Sequence, residues 1–252
     1  MPVKAMADTG IGGVRAACGN AQTTGDVQIA RGDMQTRAGH VRAASVLVDV
    51  VNAHLLNLPD ARFIYYVRSD AYSNVLDALA EDEYLPGSLR EGARMMRGYI
   101  AVHACDAMES LSREMGIDRT RLYRGVTPQY SPPYPAEAVW KTSGGEQAAR
   151  LIEKVSATYR DAGIMIDPHA NERLDYLGVE LKFLSFLLDQ QIESLDAGDG
   201  EAAVQWATCA KRFSDDHLDW IAAFVDAALP FATTDFYRGH LMMLKGFPAC
   251  AW

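Results

Sequence analysis

The stretch Asn171 to Leu188, NERLDYLGVELKFLSFLL, constrains this chain more than any other. It holds no proline and no β-branched run, so nothing in it resists a helix. At about 100° per residue, Leu174, Leu177, Leu181, Leu184 and Leu188 fall on one arc. Val179, Phe183, Phe186 and Leu187 cover most of the remainder, and only Asp175, Lys182 and Asp189 make a polar stripe, at heptad spacing. A helix apolar nearly all round is a central one, packed on several sides. Glu180 is the exception. It projects from the apolar arc one turn after Tyr176, where a carboxylate needs a buried partner or a functional pocket.

The segments around that helix read as further helices. Residues 1–39 are rich in Gly, Ala, Thr, Asp and Gln without apolar period, and are expected to form a flexible N-terminal extension. Val41 to Leu58 has helical apolar spacing and stops at Pro59. Asp60 is the expected N-cap of a helix over Ala61–Glu81. Ser88 and Glu91 form a capping-box pattern for a helix running to about Met115, with Gly116 as its end. Asp118 to Thr142 carries four prolines, together with Tyr123, Tyr130, Tyr134 and Trp140, and is expected to be a loop. Its aromatics either pack beneath it or offer a surface to a partner. Helices resume over Gly145–Ala162, through the central segment to Leu195, and over Glu201–Ala227 with a break near Ser214–Asp216. Thr233 or Thr234 starts the last one, which ends near Leu244. No segment alternates as a strand does, so the predicted class is all-α: one globular bundle of roughly 8–11 helices over residues 40–247, with a tail at 248–252.

Composition narrows the function classes. A net charge of −9 argues against non-specific binding to nucleic-acid phosphates. The four cysteines, at 18, 105, 209 and 250, show no CxxC or Cys/His spacing and are read as reduced thiols. No run reaches the ~18 apolar residues of a membrane span, and the start lacks a secretory-signal order, so the chain is expected to stay in the cytoplasm.

Catalytic patterns are scarce. There is no phosphate-binding GxxxxGK[ST], no HExxH and no Glu-x-x-His. Asp215, Asp216 and His217 are adjacent, and adjacent residues point apart on a helix, whereas His217 and Trp220 share a face. His103, His169 and His240 stand isolated. Neither a resident cofactor nor a metal site is expected.

Three separated patches resemble the TorD/DmsD/NarJ family of molybdoenzyme maturation chaperones. The first is Asp118-Arg-Thr-Arg-Leu122-Tyr123-Arg-Gly125 with Pro132-Pro133-Tyr134-Pro-Ala-Glu137-Ala-Val139-Trp140. It is similar to that family's Y-x-x-L-F-x-G-P … P-P-Y-E-S-V-Y. The second, Glu172-Arg-Leu-Asp175-Tyr176-Leu-Gly178-Val179-Glu180-Leu181-Lys-Phe183-Leu184, resembles E-x-x-D-H-x-x-x-E-L-x-F-M. The third, Phe213 to Trp220 followed by Phe236-Tyr237-Arg238, resembles F-x-x-x-H-L-x-x-W … F-Y-x-x-L. Tyr176 stands where the family usually has histidine, and the tail and the N-terminal extension match nothing in the pattern.

The resemblance implies a cytoplasmic, non-catalytic helical protein. Its members bind the leader or N-terminal segment of a molybdenum oxidoreductase subunit and assist insertion of the molybdopterin cofactor before export or assembly. Carried over by position, Leu122, Tyr123, Pro133, Tyr134 and Trp140 would border the client groove. Asp175, Tyr176 and Glu180 would form its floor, with His217 and Trp220 nearby. Carboxylates there would take guanidinium forks, and Asp175→Ala would weaken leader binding while leaving the fold intact. The alternatives are an all-α metal-dependent enzyme using Asp175, Glu180, Asp215 and His217, or a helical regulatory module. A monomer or a dimer swapped at Gly163–Ala170 is expected.

Overall fold

A computed structural model describes residues 3–5, 31–125, 127, 129–166 and 173–250, and the side chains of these apart from 3–5 and 31–36. Eleven α-helices dominate the described residues, and the one two-stranded ladder among them is three residues long, so the class is all-α as predicted. No helix among them is long and apolar enough to cross a membrane. The chain divides into two compact units, one drawn from residues 1–50 and 136–218, the other from 51–135 and 219–251.

The first unit is built on the helix the sequence singled out, α8 (Leu177–Asp196), of which Leu177, Leu181, Leu184 and Leu188 are buried. Asp175, expected on a polar stripe, instead precedes the helix and is fully buried. Gly198, at φ 76°, turns the chain into α9 (Gly200–His217), which Asp199 caps by accepting from the Ala202 N–H. The first part of α1 (Arg31–Leu56) lies along α8: Ser45 donates to Asp189 at 3.0 Å and Ser185 to Asp49 at 2.8 Å. The helix starts ahead of the predicted His40; most of the expected N-terminal extension lies outside the described residues. Within it β1 (Val3–Ala5) pairs antiparallel with β2 (Ile164–Ile166). The short α6 (Glu137–Lys141) and α7 (Gly145–Asp161) complete the unit. The rest of the predicted hinge, 167–170, is outside the described residues.

The second unit corrects several predicted boundaries. The helix expected over 61–81 is two, α2 (Ala61–Val67) and α3 (Asp70–Glu81), because Ser69 caps the second through the Tyr72 N–H and Arg68 donates to the carbonyls of His103 and Asp106. Next come α4 (Gly87–Val102) and α5 (Met108–Tyr123). Pro86 takes the N-cap of α4 and no side chain caps it, so the Ser88–Glu91 box does not form. The break falls at 103–107, where His103 pairs with Asp106 at 2.6 Å, and Gly116 sits inside α5 against Pro59. The predicted loop therefore begins after Tyr123. A break at Leu218–Trp220 precedes α10 (Ile221–Ala228), and a 3-10 turn at Pro230 leads to α11 (Asp235–Gly246), capped by Thr234 as predicted.

α4 and α11 cross at glycines. A Cβ on Gly92 would lie 2.3 Å from the Gly239 carbonyl oxygen, and one on Gly239 would lie 2.6 Å from that of Gly92. Beside this crossing is a buried polar network. His240 donates from Nε2 to the Val51 carbonyl at 2.8 Å, which leaves Nδ1 to accept from the Tyr123 hydroxyl at 2.6 Å. Arg119, wholly buried, donates to the His54 and Leu55 carbonyls at the end of α1. Cys105 and Cys250 carry free thiols.

Candidate functional site

Glu137, which sequence reasoning left without a role, joins the buried polar cluster of the first unit. Its Oε2 lies 2.9 Å from His217 Nδ1 and its Oε1 3.1 Å from Lys141 Nζ, with Glu137 1% exposed and His217 2%. Lys141 donates as well to the Asp216 carbonyl at 2.7 Å, tying the end of α6 to the end of α9. A carboxylate this deep is tolerated because both its oxygens are taken.

The segment leading into α8 clamps the start of α6. Ala136 bridges Tyr176, the Glu137 N–H donates to the Asp175 carbonyl at 2.8 Å, and the Ala138 N–H donates to Asp175 Oδ2 at 3.0 Å. Arg173 closes a bidentate fork on the Asp175 carboxylate at 2.9 and 2.8 Å. Asp175 thus caps a neighbouring helix while neutralised by its own segment. Removing its side chain leaves a buried N–H unmet, so Asp175→Ala is expected to cost stability as well.

Glu180 occupies the first turn of α8, where the helix dipole favours a carboxylate. It is fully buried, as Tyr176 nearly is. Tyr159 reports on the neighbourhood: its hydroxyl donates to the Leu174 carbonyl at 3.0 Å. Burial, then the charges of Glu180, Glu137 and Asp175, push that phenol well above its ordinary value. Three acids thus bear electrostatically on one phenol, whose ring packs tilted against Phe183, and Phe183 meets Phe213 edge-on. Trp140, on α6, is half-buried. Asp215, by contrast, is exposed and pairs with Lys211 at 2.7 Å.

The other five predicted residues belong to the second unit. Leu122 and Tyr123 are fully buried at the end of α5, and Tyr123 meets the rings of Phe224 and Tyr237. Trp220 is 4% exposed and packs edge-on against Phe224. The loop after α5 turns at Gly125, whose φ of 59° suits glycine and brings the backbone against Tyr134. Ser131 braces it, donating from Oγ to the Thr127 carbonyl at 2.7 Å and accepting from the Thr127 N–H. Pro133 is exposed, Tyr134 half-buried and Tyr130 69% exposed.

The structure thus brings Asp175, Tyr176, Glu180 and His217 into one polar cluster with Glu137, Lys141, Arg173 and Tyr159. The last four went unassigned in sequence, although Glu137 lies in the first family-like patch. Among the described residues no three His, Cys, Asp or Glu side chains are grouped to hold a metal ion. A sequence model of the family described as nitrate reductase delta subunit matches residues 82–226, more than half of the chain and a span containing all ten predicted site residues. No curated protein and no solved structure matches the chain.

Proposed function

The chain belongs to the nitrate reductase delta subunit family, the NarJ/TorD-like chaperones, and from that premise we propose that it is a maturation chaperone for a molybdenum oxidoreductase. It binds the leader or N-terminal segment of the catalytic subunit in the cytoplasm and holds it while the molybdopterin cofactor is inserted. The observation carrying this reading is the family match across residues 82–226. The geometry supports it. Glu137 and Asp175 are engaged in buried ion pairs and a helix cap, which build a recognition scaffold rather than a reacting group.

Burial divides the work among the ten residues. Leu122, Tyr123, Asp175, Tyr176, Glu180, His217 and Trp220 are buried and hold the shape of their units. Pro133, Tyr134 and Trp140 reach solvent and touch the client directly. Rigid aromatic and proline surfaces suit an extended apolar peptide, since they lose little freedom on binding.

The test is calorimetric titration with leader peptides of molybdenum oxidoreductase catalytic subunits from the same organism, each beside an Arg-Arg→Lys-Lys control. One leader should bind at about micromolar affinity or tighter, and Trp140→Ala should weaken it by about tenfold. If neither a leader nor the intact apo-subunit binds, the reading is wrong.

A further inference from the structure

A groove of about 550 Å³ lies between α5 and the loop after it, wholly within the second unit, and none of the ten site residues lines it. Arg113, Ile117, Thr120 and Arg121 come from α5, and Thr127 and Tyr130 from the loop. On the helix these positions recur at i, i+4, i+7 and i+8, one stripe along one face. Ile117 is 55% exposed and Tyr130 69%, so two large apolar surfaces stand open at its mouth.

The electrostatics oppose those of the whole chain. The molecule carries −9, yet among the described residues two arginines and no carboxylate line this groove. Arg121 is held in place by the Phe231 carbonyl at 3.4 Å and the Thr233 hydroxyl at 3.3 Å, with Asp118 at 3.5 Å. That carboxylate already accepts the N–H groups of Thr233 and Thr234 and the Thr234 hydroxyl, so it only partly offsets the guanidinium. Arg113 faces only Glu109, at 3.7 Å in an exposed pair, which water and salt largely screen.

The spacing names the occupant. Eight residues of helix set the two arginines about 12 Å apart, with Ile117 midway. A single phosphate cannot span that distance. An extended peptide advances about 3.3 Å per residue and points residues i, i+2 and i+4 to one face, so four residues cover about 13 Å.

We propose that this groove docks an extended segment of the client polypeptide with an acidic, an apolar and an acidic residue at alternate positions, the acids on Arg113 and Arg121 and the apolar side chain on Ile117 and Tyr130. It is a second contact, opposite in charge to a leader's paired arginines, and it rests on the chaperone reading.

The experiment measures binding of the full-length chain to peptides of about 15 residues, roughly three times the five-residue motif, tiled along the client catalytic subunit, leader included. Wild type is compared with Arg113→Glu and Ile117→Asp, both exposed enough to leave the fold intact. Tiles with the acid-x-apolar-x-acid spacing should bind wild type and lose about tenfold or more in either variant, while the leader tile is unaffected. If such tiles bind the variants as tightly as wild type while the leader tile still binds, the groove proposal falls alone. If wild type binds neither any tile nor the intact apo-subunit, the chaperone reading itself fails and takes the proposal with it; if it binds the leader tile or the apo-subunit but no acid-x-apolar-x-acid tile, the groove proposal falls alone. Variants that change only the sedimentation coefficient, or only retention of ATP, assign the groove to a second copy or a nucleotide and overturn the proposal.

Discussion

His240 shows how far one side chain's surroundings set its chemistry. Burial, reinforced by Arg119 and opposed by the Val51 carbonyl, drives its imidazole down to about 4. The same neutral ring is what the hydrogen bonds demand, one nitrogen donating to Val51 and the other accepting from Tyr123. An unfolded histidine titrates near 6.5, so between about 4 and 6.5 the unfolded chain holds a proton that the folded chain refuses. Stability from this group is therefore full above pH ~6.5 and falls as pH drops toward 4, by about 3 kcal/mol in all. Urea denaturation at pH 7.5 and 4.5, values set on either side of most of that window by about one unit or less, should show the advantage of wild type over His240→Gln shrinking at the acid end. An advantage that stays constant would remove His240 as the responsible group. In the other unit Glu137 makes the converse point, since a carboxylate 1% exposed persists there because His217 and Lys141 both engage it.

Among the helices, the crossing of α4 and α11 is the tightest constraint. Glycine at 92 and 239 lets the two backbones touch, and a methyl at either position meets main-chain atoms that cannot swing aside. Gly92→Ala should therefore cost about 3 kcal/mol as an overpacked contact. Gly98, on the same helix, has nothing within 4 Å of where a Cβ would stand. Gly98→Ala should stabilise by roughly 0.5–1 kcal/mol, since alanine loses less backbone entropy in a helix. Denaturant midpoints of the two variants, measured side by side, must move in opposite directions; a shared direction would show that helix propensity rather than the crossing controls both. Local signals decided other boundaries correctly. Thr234 caps α11 because its hydroxyl meets the Tyr237 N–H within its own turn. Ser69 has the same chemistry inside an apparently continuous apolar period, and there the cap prevailed over the period.

At the scale of the whole molecule, each unit is assembled from two separated stretches, 1–50 with 136–218 and 51–135 with 219–251. Cutting the chain between Pro135 and Ala136 leaves each half with only part of both units. Either half alone should keep some far-UV helicity but lose a cooperative urea transition, and co-expression of the halves should restore it. A cooperative transition in one isolated half would show that its stretch suffices. The same division explains what could be read in advance. The all-α class, the burial of the leucine arc of α8 and the caps at Asp60 and Thr234 depend on the 3.6-residue period and on bonds within one turn, which a linear string records. The pairing of Glu137 with His217 across 80 residues, the burial of Asp175 beneath Ala138 and the Gly92–Gly239 contact are not recorded there. The amino-acid order by itself determined which segments coil and which faces they bury, because those preferences are local. Which buried charges meet, and which aromatics remain in water, was decided only when the packed helices brought residues distant along the chain within reach of each other.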